Sequence, residues 1–153
     1  MADAPKSPAL DIDIFLPYLI NVLASRMSKE LAAIYEARFN ITIAEWRVIA
    51  HLAQNKNVSV REVHERVDMD KSKVSRAAAT LESAGLIEKR IAGADKRLVE
   101  LQLTRKGRKV FSEIEPLALA YEKDSLAELS GKEQAALRSI VNKLLAKPTV
   151  SRA

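Results

Sequence analysis

Between residues 70 and 85 the apolar positions recur with a helical period. Val74, Ala77, Ala78 and Leu81 are spaced by three, one and three residues and form one narrow stripe. Asp70 can N-cap such a helix, and Gly85 can end it in the left-handed conformation that other residues avoid. The other side carries Lys71, Ser72, Lys73, Ser75, Arg76 and Thr80, with no acidic residue until Glu82. A helix that reads a nucleic-acid groove needs a thin apolar back and a front of cations and hydroxyls near its start. A solvated surface helix has the same pattern, so the neighbouring elements must decide.

Leu19, Ile20, Leu23, Met27, Leu31, Ile34 and Tyr35 step by three and four. They predict a long helix from about Pro17 to Arg38, with Pro17 in the first turn where its missing N–H costs nothing. That stripe exceeds what a small domain needs for itself, a first hint of packing against a second chain. Thr42-Ile-Ala-Glu45 and Ser59-Val-Arg-Glu62 are capping boxes that open two further helices, to about Asn55 and Val67. Val58 reads as a one-residue strand contact. Two short helices joined by the turn Asp68-Met-Asp70, the second the more basic, make a helix-turn-helix.

After Gly85 the period becomes extended. Leu86–Ile91 and Leu98–Leu103 flank Ala92-Gly-Ala-Asp-Lys-Arg97, which reads as a hairpin whose tip carries Lys96 and Arg97. Thr104 caps a helix running towards Leu129, with a kink or break expected at Pro116. Ser130-Gly-Lys-Glu133 opens a last helix, ended by Pro148. The expected fold is mainly α with a small β-wing (α+β): a winged helix-turn-helix over 41–104, and a helical dimerisation region from 11–40 and 105–147. Residues 1–10 read as a disordered tail, and 149–153 likewise.

Charge sharpens this picture. The 153 residues carry a formal net charge of +5, but residues 56–110 hold 14 Lys and Arg against 8 Asp and Glu, and the rest holds 11 against 12. All the excess positive charge thus surrounds the opening helix, as a polyanion-binding module requires. The chain has no cysteine, which excludes disulfides, thiolate metal sites and cysteine redox sensing. No apolar run reaches the roughly 18 residues of a membrane span, and no secretion signal is evident. The cytoplasm is the expected location.

Five blocks now make the chain recognisable: Thr42–Val48, Asp70–Arg76, Leu81–Ile87, Asp95-Lys-Arg97 and Leu103–Gly107. In this order and spacing they resemble the MarR family, the multiple-antibiotic-resistance regulators, over about Phe15 to Leu145. The resemblance implies a homodimer of winged helices that binds pseudo-palindromic operator DNA, usually as a repressor. It also implies that Arg97 enters the minor groove while Asp95 holds it or the loop in place, beside Lys96.

From the residues themselves, Ser72, Lys73, Ser75 and Arg76 are the expected reading face, with Lys71 beside them. Arg76 can bridge a guanine edge, while Lys and Ser clamp phosphate or take single contacts. Arg61, near the start of the first helix of the motif, is placed to touch phosphate, whereas Ser59 already serves as a cap. The family places a small-molecule effector between the dimer helices and the winged helix. Trp46, Arg47 and His51 lie on the helix that would wall such a pocket, with Tyr18 and Arg26 within reach, and Arg beside aromatic rings suits an aromatic carboxylate. Trp46 reads equally well as core. His51 and His64 make no metal-ligand pattern, so no metal or cofactor is expected.

An enzyme is not supported: no Gly-rich phosphate loop, nucleophile constellation or metal cluster stands in the sequence. An effector-independent architectural DNA binder of the same fold is the main rival. A degenerate winged helix used for protein contacts is disfavoured by the complete set of basic and hydroxyl residues on the reading face.

Overall fold

The computed structural model describes residues 9–91 and 99–148. Six helices and three short strands follow in the order α1 (Leu16–Phe39), α2 (Ile43–Gln54), β1 (Val58–Ser59), α3 (Val60–Val67), α4 (Lys71–Ser83), β2 (Ile87–Ile91), β3 (Val99–Leu103), α5 (Arg105–Ser125) and α6 (Gly131–Leu145). The three strands form one antiparallel sheet in the order β1-β3-β2, with Val58 opposite Leu101 and Ile87 opposite Leu103. The fold is therefore mainly helical with a small β-wing. The expected wing tip, Asp95 to Arg97, lies outside the described residues, as do residues 1–8 of the expected tail and residues 149–153.

Compactness divides the chain within α5, into residues 1–114 and 115–153. In the first unit Val48, Ile49 and Leu52 of α2, Val63 of α3, Val74, Ala77, Ala78 and Leu81 of α4, and Leu101 and Leu103 of β3 share one core. The C-terminal half of α1 joins it through Ala32 and Tyr35. The N-terminal half does not: Leu16, Leu19, Ile20 and Leu23 are all exposed. In the second unit Arg138 Nη1 bonds Glu122 Oε1 at 2.7 Å, and Gln134 Nε2 donates to the carbonyls of Leu126 and Leu129. Leu137, Ile140, Val141, Leu144 and Leu145 of α6 are exposed.

Helix starts are determined locally. Thr42/Glu45, Ser59/Glu62 and Ser130/Glu133 all form complete capping boxes, in which hydroxyl and carboxylate satisfy amides that the helix cannot. Hydrogen bonds from Ser59 and Ser130 hold the Glu62 and Glu133 carboxyls below their ordinary range. The end of α4 follows from Gly85 at φ 71°: the Leu86 amide donates to Leu81 O and the Gly85 amide to Glu82 O, both at 2.9 Å.

Two expectations need correction. The strand at Val58 pairs two residues, not one. Of the kink or break expected at Pro116, the break is absent: α5 runs through it as one helix before ending at Ser125, short of Leu129. Proline removes one backbone donor there, and both Pro116 and Ser112, four residues earlier, are exposed, so water can take the freed carbonyl.

Thr104 knots α4, the sheet and α5 together. Its amide donates to Leu86 O at 3.0 Å, its hydroxyl donates to Gly85 O at 2.7 Å, and it accepts from the Gly107 amide at 3.0 Å as the cap of α5. Gly107 is buried so closely here that a Cβ would overlap the Leu86 carbonyl oxygen and crowd Leu103. Backbone cannot yield as a side-chain tip can. Gly107→Ala is therefore expected to destabilise the protein by about 1–3 kcal/mol, read as a lower urea midpoint. Gly131→Ala, where a Cβ would meet nothing within 4 Å, serves as the control and should leave the midpoint nearly unchanged.

Candidate nucleic-acid interface

The front of α4 stands as its pattern demands. Val74, Ala77, Ala78 and Leu81 are buried, while Lys71, Ser72, Lys73, Ser75, Arg76 and Thr80 are exposed. The first turn holds no acidic residue, so the partial positive charge of the helix start is reinforced by Lys71 and Lys73. Asp70 occupies the N-cap position but departs from expectation: its side chain makes no capping hydrogen bond. The amides of the first turn are thus left without a side-chain acceptor from the cap, which suits an anion approaching that end.

The exposed residues are not all alike. Lys73, Arg76 and Thr80 line a cleft of about 210 Å³ against Thr42, Ala44 and Glu45 at the start of α2. Within it Arg76 Nε makes a long contact, 3.4 Å, with its own helix at Ser72 O, so the guanidinium is held loosely. Ser72 and Ser75 do not line this cleft. Arg61 on α3 is exposed and bonded to Glu65 Oε1 at 2.9 Å, an ordinary i, i+4 surface pair.

The turn between α3 and α4 is braced by one of the two histidines. His64 Nδ1 hydrogen-bonds the Met69 carbonyl, so that nitrogen carries the proton and donates. Asp68 between them takes the left-handed conformation at φ 49°. In the hairpin, Glu88 accepts from Gln102 Nε2 and from Arg90 Nη2 and is held below its ordinary carboxyl range by these partners, Gln102 first. Lys89 reaches back to Glu82 of α4 at 2.6 Å. Asp95, Lys96 and Arg97, the expected wing-tip contacts, lie outside the described residues.

Of the five residues expected to line an effector pocket, Arg47 alone borders one of the clefts formed by the described residues. Trp46 is taken up by an aromatic stack, 5.6 Å from Tyr35 of α1 and 5.8 Å from Phe111 of α5. Burial, chiefly, pushes the Tyr35 hydroxyl up to about 12, with Glu36 adding to the effect and Arg47 opposing it. Arg47 instead lines a cleft of about 250 Å³ between α1 and α2, with Asn21, Ala24, Ser25, Ser28, Lys29 and Ile43. Tyr18 and Arg26 are exposed on α1 and are not among its lining residues. Lys29 escaped sequence reasoning, although its place about three turns after Tyr18 on one helix could have suggested it. Among the described residues, no three His, Asp or Glu are grouped to hold a metal ion, and no helix is long and apolar enough to cross a membrane.

Comparison with known proteins finds the same fold. The family model described as "MarR family" matches residues 39–98. The HTH-type transcriptional regulator FarR of Neisseria gonorrhoeae is 31% identical over 96 residues, 62% of this chain, and the match spans 64% of that protein. The crystal structure of a MarR/EmrR family transcriptional regulator from Acinetobacter sp. ADP1 is 30% identical and superposes with a TM-score of 0.81. That match covers 88% of this chain and 95% of the other. Bordetella bronchiseptica BpsR, whose DNA binding is regulated by 6-hydroxynicotinic acid, shares the fold with a TM-score of 0.82 at 19% identity, over 91% of this chain and 99% of its own.

His51 generates a pH test. It faces Arg66 and Glu62 of α3, and its enclosed Nε2 finds no hydrogen-bond partner among the described residues. Burial first, then Arg66, lowers its pKa below 6.5, with Glu62 opposing. The unfolded chain therefore takes up the proton before the folded one does. Stability should fall as the pH drops below 6.5 and level off once the folded ring is itself protonated. Replacing His51 with Gln is expected to flatten that part of the curve, measured as urea midpoints between about pH 5 and 7.

Proposed function

This chain belongs to the MarR family of transcriptional regulators, and we propose that it acts in the cytoplasm as a homodimeric repressor. In this reading it binds pseudo-palindromic operator DNA and is released by a small aromatic acid. The observation that carries the DNA contact is the front of α4, exposed, basic and free of acid over its first turns, on a helix whose back is wholly buried. Arg76 reads a base edge, Ser72 and Ser75 make single contacts, and Lys71, Lys73 and Arg61 meet phosphate. By likeness to the family, Arg97 enters the flanking minor groove, held by Asp95 and helped by Lys96.

The exposed apolar positions support the homodimer. Leu16, Leu19, Ile20 and Leu23 on α1, and Leu137, Ile140, Val141 and Leu144 on α6, leave two apolar helix faces uncovered in one chain. Burying them against a second copy would gain about 25 cal/mol for each Å² removed from water. A symmetric dimer then presents two reading helices roughly one DNA turn, about 34 Å, apart.

The cleft between α1 and α2 supports the effector. Its two cations, Lys29 and Arg47, with Ser25, Ser28 and Asn21, suit a carboxylate with further hydrogen-bonding groups. At about 250 Å³ it is small for a drug-sized ligand, which takes about 300 Å³ or more, and suits a single ring. The response of BpsR to 6-hydroxynicotinic acid is of the same chemical kind. A ligand here would push on α2 beside Trp46, and α2 packs directly against α4.

Three measurements test this reading. Footprinting of the DNA upstream of its own gene should give a two-half-site protection, retained against unrelated DNA by roughly a thousandfold or more; protection of no defined site would sink the repressor. Arg76→Ala is expected to cost about 1–3 kcal/mol of operator binding and to relax preference at one base position. Arg47→Ala should leave operator affinity in place while abolishing release by single-ring aromatic acids, followed by fluorescence anisotropy of labelled DNA.

A further inference from the structure

The first two turns of α5 carry a charge that the reading above does not use. Arg105, Lys106, Arg108 and Lys109 are all exposed, and no carboxylate follows before Glu113. Together with Ser112 they border an open concavity of about 850 Å³. Arg105, Arg108, Lys109 and Ser112 are spaced to share one helix face. Arg38, Arg61, Lys89, Arg90 and Arg138 each pair with a carboxylate. Arg105, Lys106, Arg108 and Lys109 make no such pair among the described residues; Lys106 Nζ instead donates to Ala84 O at 2.8 Å, and Arg108 acts on Glu88 only at longer range. Four neighbouring cations with one carboxylate nearby, Glu88 beside Arg108, repel one another, so an anionic surface is the partner that relieves them.

The chemistry selects among anions. A small anionic ligand needs an enclosing site, and this surface is open. The core of a protein–protein interface is apolar and poor in Lys, whereas among the described residues only charged side chains and one serine border this concavity. Protein–DNA interfaces are polar and strongly positive, and Lys and Arg without amide neighbours contact phosphate without reading sequence. Thr104, which caps this helix, follows β3 and bonds Gly85 past the end of α4, so the patch stands beside the C-terminal end of α4.

We infer that the first two turns of α5 hold the DNA backbone outside the operator half-site, whatever the flanking sequence. This rests on the DNA-binding reading above. It adds a contact that depends on the length of the DNA and not on the operator.

The test uses the full-length protein and two duplexes. One contains only the footprinted half-sites; the other adds about one helical turn, roughly 10 base pairs, of unrelated sequence at each end. The wild type should bind the longer duplex more tightly. The triple variant Arg105→Gln, Arg108→Gln, Lys109→Gln should lose that gain, about tenfold or more, and its salt slope on the longer duplex should fall by about 0.9 for each phosphate contact removed. Its binding to the short duplex should be unchanged, which also shows that it is folded. The double variant Arg105→Lys, Arg108→Lys keeps the charge and should keep the gain. Equal wild-type affinity for both duplexes, or an equal loss on both in the triple variant, would overturn the inference while leaving the operator reading intact. A wild type that binds neither duplex in preference to unrelated DNA would overturn both.

Discussion

A helix of thirteen residues is marginal in water on its own, so α4 owes its order to the contact along its back. That contact is thin. Ala77 and Ala78 lie between Val74 and Leu81, and all four are at most 5% exposed against α2, α3 and β2. Small side chains at the centre let the backbone of α4 come close to its neighbours, while Val74 and Leu81 set its rotation at either end. Turning the helix by one residue, about 100°, would exchange Ala77 for Arg76 and bury a guanidinium. The orientation of every cation and hydroxyl on the exposed side follows from the cost of that exchange.

The ends of the helix are held by different means, and this matches their uses. At its C-terminus, Gly85 in the left-handed conformation returns two amides to α4, and Thr104 bonds both that turn and the start of α5. The root of the hairpin is thereby tied to the end of α4. At the N-terminus the brace comes from α3, through the His64 bond to the Met69 carbonyl, and the Asp70 side chain takes no part. One end is closed by backbone and hydroxyl groups. The other keeps its amides free of a side-chain cap where the basic residues gather.

Trp46 and Arg47 show how adjacent residues on one helix come to serve different ends. The indole stacks between Tyr35 and Phe111 and so joins α1, α2 and α5 within one core. Arg38 and Glu113 bridge α1 and α5 on the outside at 3.1 Å. Successive helix positions diverge by about 100°, so Arg47 leaves that core and lines the polar cleft facing Lys29. The same helix carries a rigid apolar joint and, beside it, a charged surface.

Much of this was legible in the chain itself, because its causes are local. Helical periodicity, three hydroxyl–carboxylate capping boxes and a glycine after the recognition helix act over three to five residues, and the helices begin within a residue or two of where those signals stand, whereas α5 and α6 end three or four residues early. The exposed front of α4 was equally legible, since one face of a helix must be whatever the other is not. Tertiary structure decided the rest. Trp46 and His51 share a helix with Arg47, but which neighbours each meets depends on α1, α3 and α5, far away in sequence. Lys29 joins Arg47 only because α1 crosses α2 at that level. Gly107 is needed because the Leu86 backbone passes against it, and Pro116 is tolerated because its surroundings are open to water. Spacing along a chain determines which side chains share a face, but only the packing of separate elements determines what that face meets.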